Sequence, residues 1–455
     1  MHLKNKIVLI GLDCAEPDLV FGKYRSHLPN ISKLMENGFY SPMRSCDPPI
    51  TVPAWSVMFS GKDPGELGLY GFRNRMNYSY DHLSTADTGS IHEKRIWEIT
   101  SEAGVNSIVI GVPQTYPVRA FNGYMVAGML APEIDEQAVY PASLHNEMKQ
   151  IVPDYRTDIK DFRNKDREVL LKKIYAMTRD HFKLARHLLD TRKWDLFIMV
   201  EIGLDRIQHA FWQDMAEDSP YFVAGNKFRD VVFKYYQYLD FEIGLLLKRF
   251  DPSTQIIIVS DHGAKTFHGV FHINEWLRRE GYLKIKGEPS EQVKLTTDQI
   301  DWKRTKVWAE GGYYSRIFFN VKDREPSGIL DVADIKTLKS DLAQKLKRIR
   351  VGRKTLKNIV LDPAEIYKKL KGIPPDLMIY LDELNLRASA AVGCRDLFST
   401  KNDTGPDGAN HNYDGIFIIN RPLKNQKIDI YSVTPTIMEL MGLNSDPKMT
   451  GKSVL

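Results

Sequence analysis

Cysteine is scarce in this chain: three residues in 455, Cys14, Cys46 and Cys394, far apart and without a CxxC spacing. That excludes a disulfide framework and a cysteine-built zinc site, and it fits a reducing interior. Long apolar runs are also missing, and no stretch approaches the roughly 18 uninterrupted apolar residues of a membrane span. The first apolar run, Ile7–Ile10, is too short for a signal-peptide core and stops at Gly11 and Asp13. These features predict a cytoplasmic protein with no membrane span. Charge of one sign is lacking as well: 63 Lys+Arg against 58 Asp+Glu leaves a net +5, too little to argue for a nucleic-acid partner. An apolar fraction of 43% with 27% charged residues excludes a disordered, collagen-like or fibrous chain. No internal repeat or low-complexity segment is evident. The length suits two to three domains, or one large α/β domain carrying an insertion.

Short apolar runs at Ile7–Ile10, Ser107–Ile110, Leu196–Val200 and Gln255–Val259 have the look of buried parallel strands. Amphipathic stretches such as Leu170–Leu189 and Phe228–Phe250 lie between them. This alternation predicts a doubly wound α/β sheet, mostly parallel, with helices on both faces. Three of the strands run into acids: Gly11-Leu12-Asp13, Glu201 to Asp205, and Ser260-Asp261-His262-Gly263. Ligand crevices in such sheets lie outside the carboxyl ends of the strands. Three carboxylates meeting at that edge repel one another unless a cation joins them.

Histidines complete the pattern. Asp205 and His209 are an i, i+4 pair that one helical turn places on one face. Asp261 and His262 are adjacent in a loop, and His411 precedes the strand-like Ile416–Ile419. Mixed Asp/His ligation without cysteine suits zinc or manganese at a hydrolytic site. Six ligands, Asp13, Asp205, His209, Asp261, His262 and His411, exceed one catalytic zinc and fit two ions bridged by a substrate oxygen. Thr51, in the segment from Asp47 to Gly61, is placed as the N-cap of a short helix with Pro53 in its first turn and Gly61 at its end. A threonine there caps; beside a divalent ion and a helix N-terminus the same hydroxyl could ionise and attack.

Taken together, these motifs resemble the alkaline phosphatase superfamily, and within it the type I phosphodiesterase/nucleotide pyrophosphatase group; the whole chain looks like its prokaryotic phosphohydrolase/phosphomutase-like members. The matching text includes Gly11-Leu12-Asp13, Leu28 to Leu34, Pro48-Pro49-Ile50-Thr51 with Pro53-Ala54-Trp55, Gly61 to Pro64, Leu204 to His209, Ser260 to Gly263 and His411 to Asp414. The resemblance implies an alkaline-phosphatase-like core with an inserted cap, and a two-metal phosphohydrolase, most naturally a phosphodiesterase, on a small-molecule phosphate ester. It implies one ion, zinc or alternatively manganese, on Asp205, His209 and His411, and a second on Asp13, Asp261, His262 and Thr51. Thr51 would attack phosphorus to give a phospho-threonine. A phosphomutase and a catalytically silent phosphate-ligand-binding protein are the alternatives carried forward.

Two departures bear on specificity. The family's phosphate-holding asparagine falls on Phe72 here, leaving Arg73 or Asn74 as substitutes, and its Asn-His after Thr-x-Pro is Ala54-Trp55. Among competing residues, His268 and His272 flank a helix start at Ile273–Leu277, and Cys46-Asp47-Pro48 lacks the rest of a sulfatase signature. Tyr235 to Tyr238 suits a packed helix face better than a base-stacking platform. Residues 284–372, with an aromatic run at Trp308–Phe319 and a basic helical run at Leu338–Arg353, are expected to form an inserted cap between core segments 1–283 and 373–455. Leu377 to Tyr380 is expected to return to the core sheet, and residues 146–190 to add a helical piece of lid.

Overall fold

A computed structural model describes residues 5–163, 166–402, 405–424 and 426–455. A nine-stranded sheet forms its centre, with strands in the order Ile428–Asp429, Phe39–Arg44, Asp414–Ile419, Gln255–Val259, Ile7–Leu12, Leu196–Glu201, Ser107–Ile110, Gly123–Val126 and Val139–Tyr140. The five strands from Gln255–Val259 to Gly123–Val126 run parallel, and antiparallel pairs occur only toward the two edges. All four predicted central strands are present, and their side chains are buried on both faces, which explains their uninterrupted Ile/Val/Leu content. The sheet and its covering helices form a mixed α/β core, mostly parallel at its centre, as the alternation of strands and helices predicts.

Register delivers the acids to one edge. Gly11 pairs with both Val200 and Val259, and Leu12 pairs with Glu201. The three strands therefore leave the sheet together, followed by Asp13, the helix Gly203–Met215 and Asp261. A short ribbon, Gly263–Thr266 against Ala409–Asn412, sets Ala264 opposite His411 and folds the late histidine back over the same edge.

A second hydrophobic core lies beside the first. It is built on a four-stranded antiparallel sheet, Val307–Glu310, Ser315–Phe319, Leu377–Tyr380 and Ile359–Leu361, covered by the helix Ile335–Lys347 through Leu342 and Leu346. Leu377–Tyr380 is a strand as expected, but it pairs with Ser315–Phe319 and Ile359–Leu361 and not with the central sheet. Four consecutive buried residues fit a central strand of either sheet, so sequence pattern alone misplaced it. The apolar residues of this core run from Phe271 to Val392, wider on both sides than residues 284–372. The basic run is helical only to Lys347, and its remainder forms the hairpin Arg350–Val351 with Lys354–Thr355.

The expected helical lid over residues 146–190 is also corrected. Most of it is the long helix Arg167–Thr191, which buries Leu170, Ile174, Met177, Phe182, Leu184 and Leu188 in the main core. Only the irregular stretch before it, with Asp158, Phe162 and Arg163, reaches the cleft described below. Tyr235 and Tyr236 are buried on the helix Val231–Leu247, a packed face as expected.

One glycine couples the sheet to the site. A Cβ on Gly11 would lie 2.4 Å from the Trp55 ring and 3.0 Å from Val200, and Trp55 is fully buried. Gly11→Ala should destabilise the fold by about 1–3 kcal/mol through overpacking, read as a lowered midpoint in urea with an unchanged slope. A variant as stable as wild type would show that Trp55 can move freely.

Candidate active site

The helix Thr51–Ser60 begins against the carboxyl edge of the sheet and ends at Gly61, whose φ of 67° closes it in the left-handed conformation. Ile50, not Thr51, is the N-cap, and Thr51 is the first helical residue. Its side chain is not spent on capping: Thr51 Oγ1 lies 3.3 Å from His262 Nε2, fully inside the site. The cap expectation fails because the hydroxyl faces the strand-end loop and not its own helix.

All six expected ligands are buried and converge here. His209 Nε2 is 3.1 Å from Asp205 Oδ1 and 3.3 Å from His411 Nε2. His262 Nε2 is 3.2 Å from Asp261 Oδ2 and 3.8 Å from Asp13 Oδ1, and its ring stacks on His411 at 3.7 Å. Two ligand clusters follow from these distances, Asp13 with Asp261 and His262, and Asp205 with His262 and His411; Cys14 forms a third grouping with Asp205 and His209.

Each imidazole is held by its far nitrogen. His209 Nδ1 meets Asp407 Oδ1 at 2.8 Å, His411 Nδ1 meets the Pro49 carbonyl at 2.9 Å, and His262 Nδ1 meets the Gly263 carbonyl at 3.1 Å. An oxygen acceptor at Nδ1 favours the Nδ1–H tautomer and turns the Nε2 lone pair inward. The Nε2 atoms of His209 and His262 thus lie against carboxylate oxygens and that of His411 against His209 Nε2, and Asp13 Oδ1, Asp205 Oδ1 and Asp261 Oδ2 are buried without a hydrogen-bond partner. Lone pairs facing lone pairs in a dry site are costly unless a proton or a cation lies between them. The donor set fits divalent metal.

Electrostatics agree. Burial, reinforced by Asp261 and Asp205, raises the Asp13 carboxyl well above its usual value, and burial raises Asp261 likewise. Burial opposes ionisation of Asp205 too, but His209 and Arg206 outweigh it and hold this carboxyl low. Burial lowers His262 to about 4, and burial with His262 and His209 lowers His411. His209 is pushed up to about 9, because Asp205 and Asp407 together overcome its burial.

Several residues here carry no signal in the sequence. Asp407 is fully buried, receives Arg163 and Arg387, and orients His209. Arg206 spans Asp205 and Asp158. Tyr313, from the turn before Ser315–Phe319, stacks on His411 at 4.2 Å. Trp55 donates from Nε1 to Asp13 Oδ2 at 2.7 Å, so the residue that replaces the family's histidine orients a carboxylate. Of the two expected substrate residues, Arg73 lines the cleft beside the site. Asn74 does not: its carboxamide accepts from the Tyr70 amide and donates to the Gly71 carbonyl, holding its own turn. His268 pairs with Asp218 at 3.2 Å, outside the cluster, and Cys46 donates to the Pro48 carbonyl.

Two outcomes are expected. Asp407→Ala should weaken divalent-metal affinity by about 10- to 100-fold, measured by competition with a chromophoric chelator, because His209 loses the acceptor that fixes its tautomer. Chelator-treated protein should lose stability as pH rises from about 6.5 through 9, since the raised His209 value stabilises the fold only while the ring is protonated. It should also lose stability as pH falls from about 6.5 toward 4, because His262 is held neutral. Metal should remove the alkaline loss by replacing the His209 proton; a melting temperature flat across pH 6.5–9 in chelator would contradict this.

Comparison with known proteins places the chain. The sequence matches the type I phosphodiesterase / nucleotide pyrophosphatase family over residues 7–407. A comparison with curated proteins gives no match. Among solved structures, phosphonoacetate hydrolase from Sinorhizobium meliloti 1021 in complex with phosphonoformate aligns with a TM-score of 0.60 at 14% identity, over 95% of this chain and 94% of that one. Human ectonucleotide pyrophosphatase / phosphodiesterase 5 aligns with a TM-score of 0.56 at 13% identity, over 98% and 97%. Such low identity shows a common fold, while the family match covers most of the chain. The chain belongs to the type I phosphodiesterase / nucleotide pyrophosphatase family, and it is by class a phosphoric ester hydrolase.

Proposed function

We propose that this protein is a two-metal phosphodiesterase that works through a phospho-threonine on Thr51. The observation that carries the reading is the buried Thr51 hydroxyl, 3.3 Å from His262 Nε2, facing three carboxylates with orphan oxygens and three imidazoles with inward Nε2 atoms. Asp205, His209 and His411 would hold one ion; Asp13, Asp261, His262 and the Thr51 oxygen would hold the other. Zinc suits this nitrogen-rich donor set best, with manganese the alternative. When bound, the ions neutralise charge that develops on the phosphoryl oxygens.

The protein's own groups then have separable tasks. Thr51 Oγ1 attacks phosphorus and the alcohol portion departs, leaving Thr51 phosphorylated until water attacks the same phosphorus from the vacated side. Its place at the first helical residue puts the reacting phosphoryl group at a helix N-terminus, where anions are favoured. Trp55 and Asp407 hold Asp13 and His209 in position. Tyr313 and Tyr314, within the expected insertion 284–372, line the cleft, which supports the expectation that the inserted cap selects the substrate. Three buried free cysteines suit a reducing, cytoplasmic setting, and no helix among the described residues is long and apolar enough to cross a membrane.

Thr51→Ala should nearly abolish turnover of an aryl phosphodiester while metal content is retained, and Thr51→Ser should keep part of the rate. Hydrolysis at a chiral thiophosphate should proceed with net retention, since two in-line displacements each invert. Net inversion, or an active Thr51→Ala protein, would remove Thr51 from the chemistry.

A further inference from the structure

A cleft of about 430 Å³ opens beside the metal-ligand cluster and shares Tyr313, Arg206 and Arg387 with its surroundings. Five arginines line it, and they divide into two groups. Arg163, Arg206 and Arg387 are each paired with carboxylates, through Asp407 for the first and third and through Asp158 and Asp205 for the second. Arg73 and Arg316 have no carboxylate partner among the described residues. They come from segments far apart in the chain: Arg73 starts the hairpin strand Arg73–Arg75, and Arg316 lies on Ser315–Phe319 of the second core.

The two are nevertheless fastened together. The Arg316 guanidinium donates to the Arg73 backbone carbonyl, and Tyr314 beside it donates to the Tyr70 carbonyl. Holding the Arg316 guanidinium on the wall that Arg73 also lines, without a counter-charge, is unfavourable in isolation. It becomes favourable when an anion joins them, because guanidinium pairs bind carboxylate and phosphate through charge-assisted, often bidentate hydrogen bonds.

We propose that Arg73 and Arg316 form a second anion subsite, so that the substrate carries, beyond the reacting phosphoryl group, another anionic group on one of its ester arms, a carboxylate or a phosphate. This rests on the phosphodiesterase reading for the reacting end. The aromatic lining by Phe72, Phe162 and Tyr313 suits a short carbon linker between the two charges, and the cleft holds a small molecule rather than a polymer.

The test compares p-nitrophenyl alkyl phosphodiesters whose alkyl arm ends in a carboxylate, a phosphate or a neutral carboxamide. Titration calorimetry on metal-loaded protein, with the matching alkylphosphonates as non-reacting probes, runs in parallel. Wild-type protein should prefer one anionic arm over the carboxamide by on the order of 10- to 100-fold in kcat/KM and in affinity. Whichever arm wins, carboxylate or phosphate, identifies the anion. Arg73→Gln and Arg316→Gln should each reduce that ratio, and the double variant should bring it near one. Equal handling of charged and neutral arms by wild type, or an unchanged ratio in the double variant, overturns the subsite. Absence of any diester turnover counts against the phosphodiesterase reading alone, since the calorimetric ratio still reads the subsite.

Discussion

The structure is organised around a repulsion. Asp13, Asp205 and Asp261 are delivered by three neighbouring parallel strands to one dry edge of the sheet, with little water to screen them. In a low-dielectric setting such a cluster persists only if positive charge is placed among it. The protein supplies part of that charge through Arg206 on Asp205, and supplies lone pairs, not protons, from His262 and His411. The balance is left for metal, and the buried orphan oxygens mark where that charge belongs.

Much of the surrounding architecture holds donors at fixed angles. Backbone carbonyls of Pro49 and Gly263 and the carboxylate of Asp407 each take an imidazole N–H, so the ring orientations follow from main-chain positions and one buried acid. Glu16 accepts from the Ala264 amide and from Asn412, tying the turn after the first strand to the ribbon that carries His411. These contacts pre-set the ligand geometry before any ion arrives, which lowers the reorganisation that binding would otherwise require.

Two cores divide the work. The main sheet positions the strand-end acids, and Ser315–Phe319 of the second core, with the turn before it, contributes Tyr313, Tyr314 and Arg316 to the wall of the cleft. On the proposed reading, that wall selects the substrate. The aromatic face of Tyr313 on His411 is the point where the two cores meet the chemistry.

Local patterns were enough for the strands that end in acids, the Asp205–His209 pair and the helix from Thr51 to Gly61, because each depends on spacing within one element. His411, far along the chain, was marked by its place before the strand-like Ile416–Ile419, and the family resemblance added its assignment to an ion. Asp407 was not legible: it sits in Gly405-Pro406-Asp407-Gly408, ordinary turn residues, and gains its role only when the ribbon register sets it against His209. The same holds for Trp55 on Asp13 and for Arg316 beside Arg73, which are contacts between elements distant in sequence. Leu377–Tyr380 shows the limit most plainly, since a buried apolar strand carries no mark of which sheet it will join. By itself the sequence determined the sheet type, the strand-end acids and the helix that begins at Thr51, all short-range consequences of periodicity and spacing. Tertiary structure alone decided which groups orient those ligands and which charges face the substrate, because hydrogen bonds and ion pairs between distant segments are set by packing, not by neighbours in the chain.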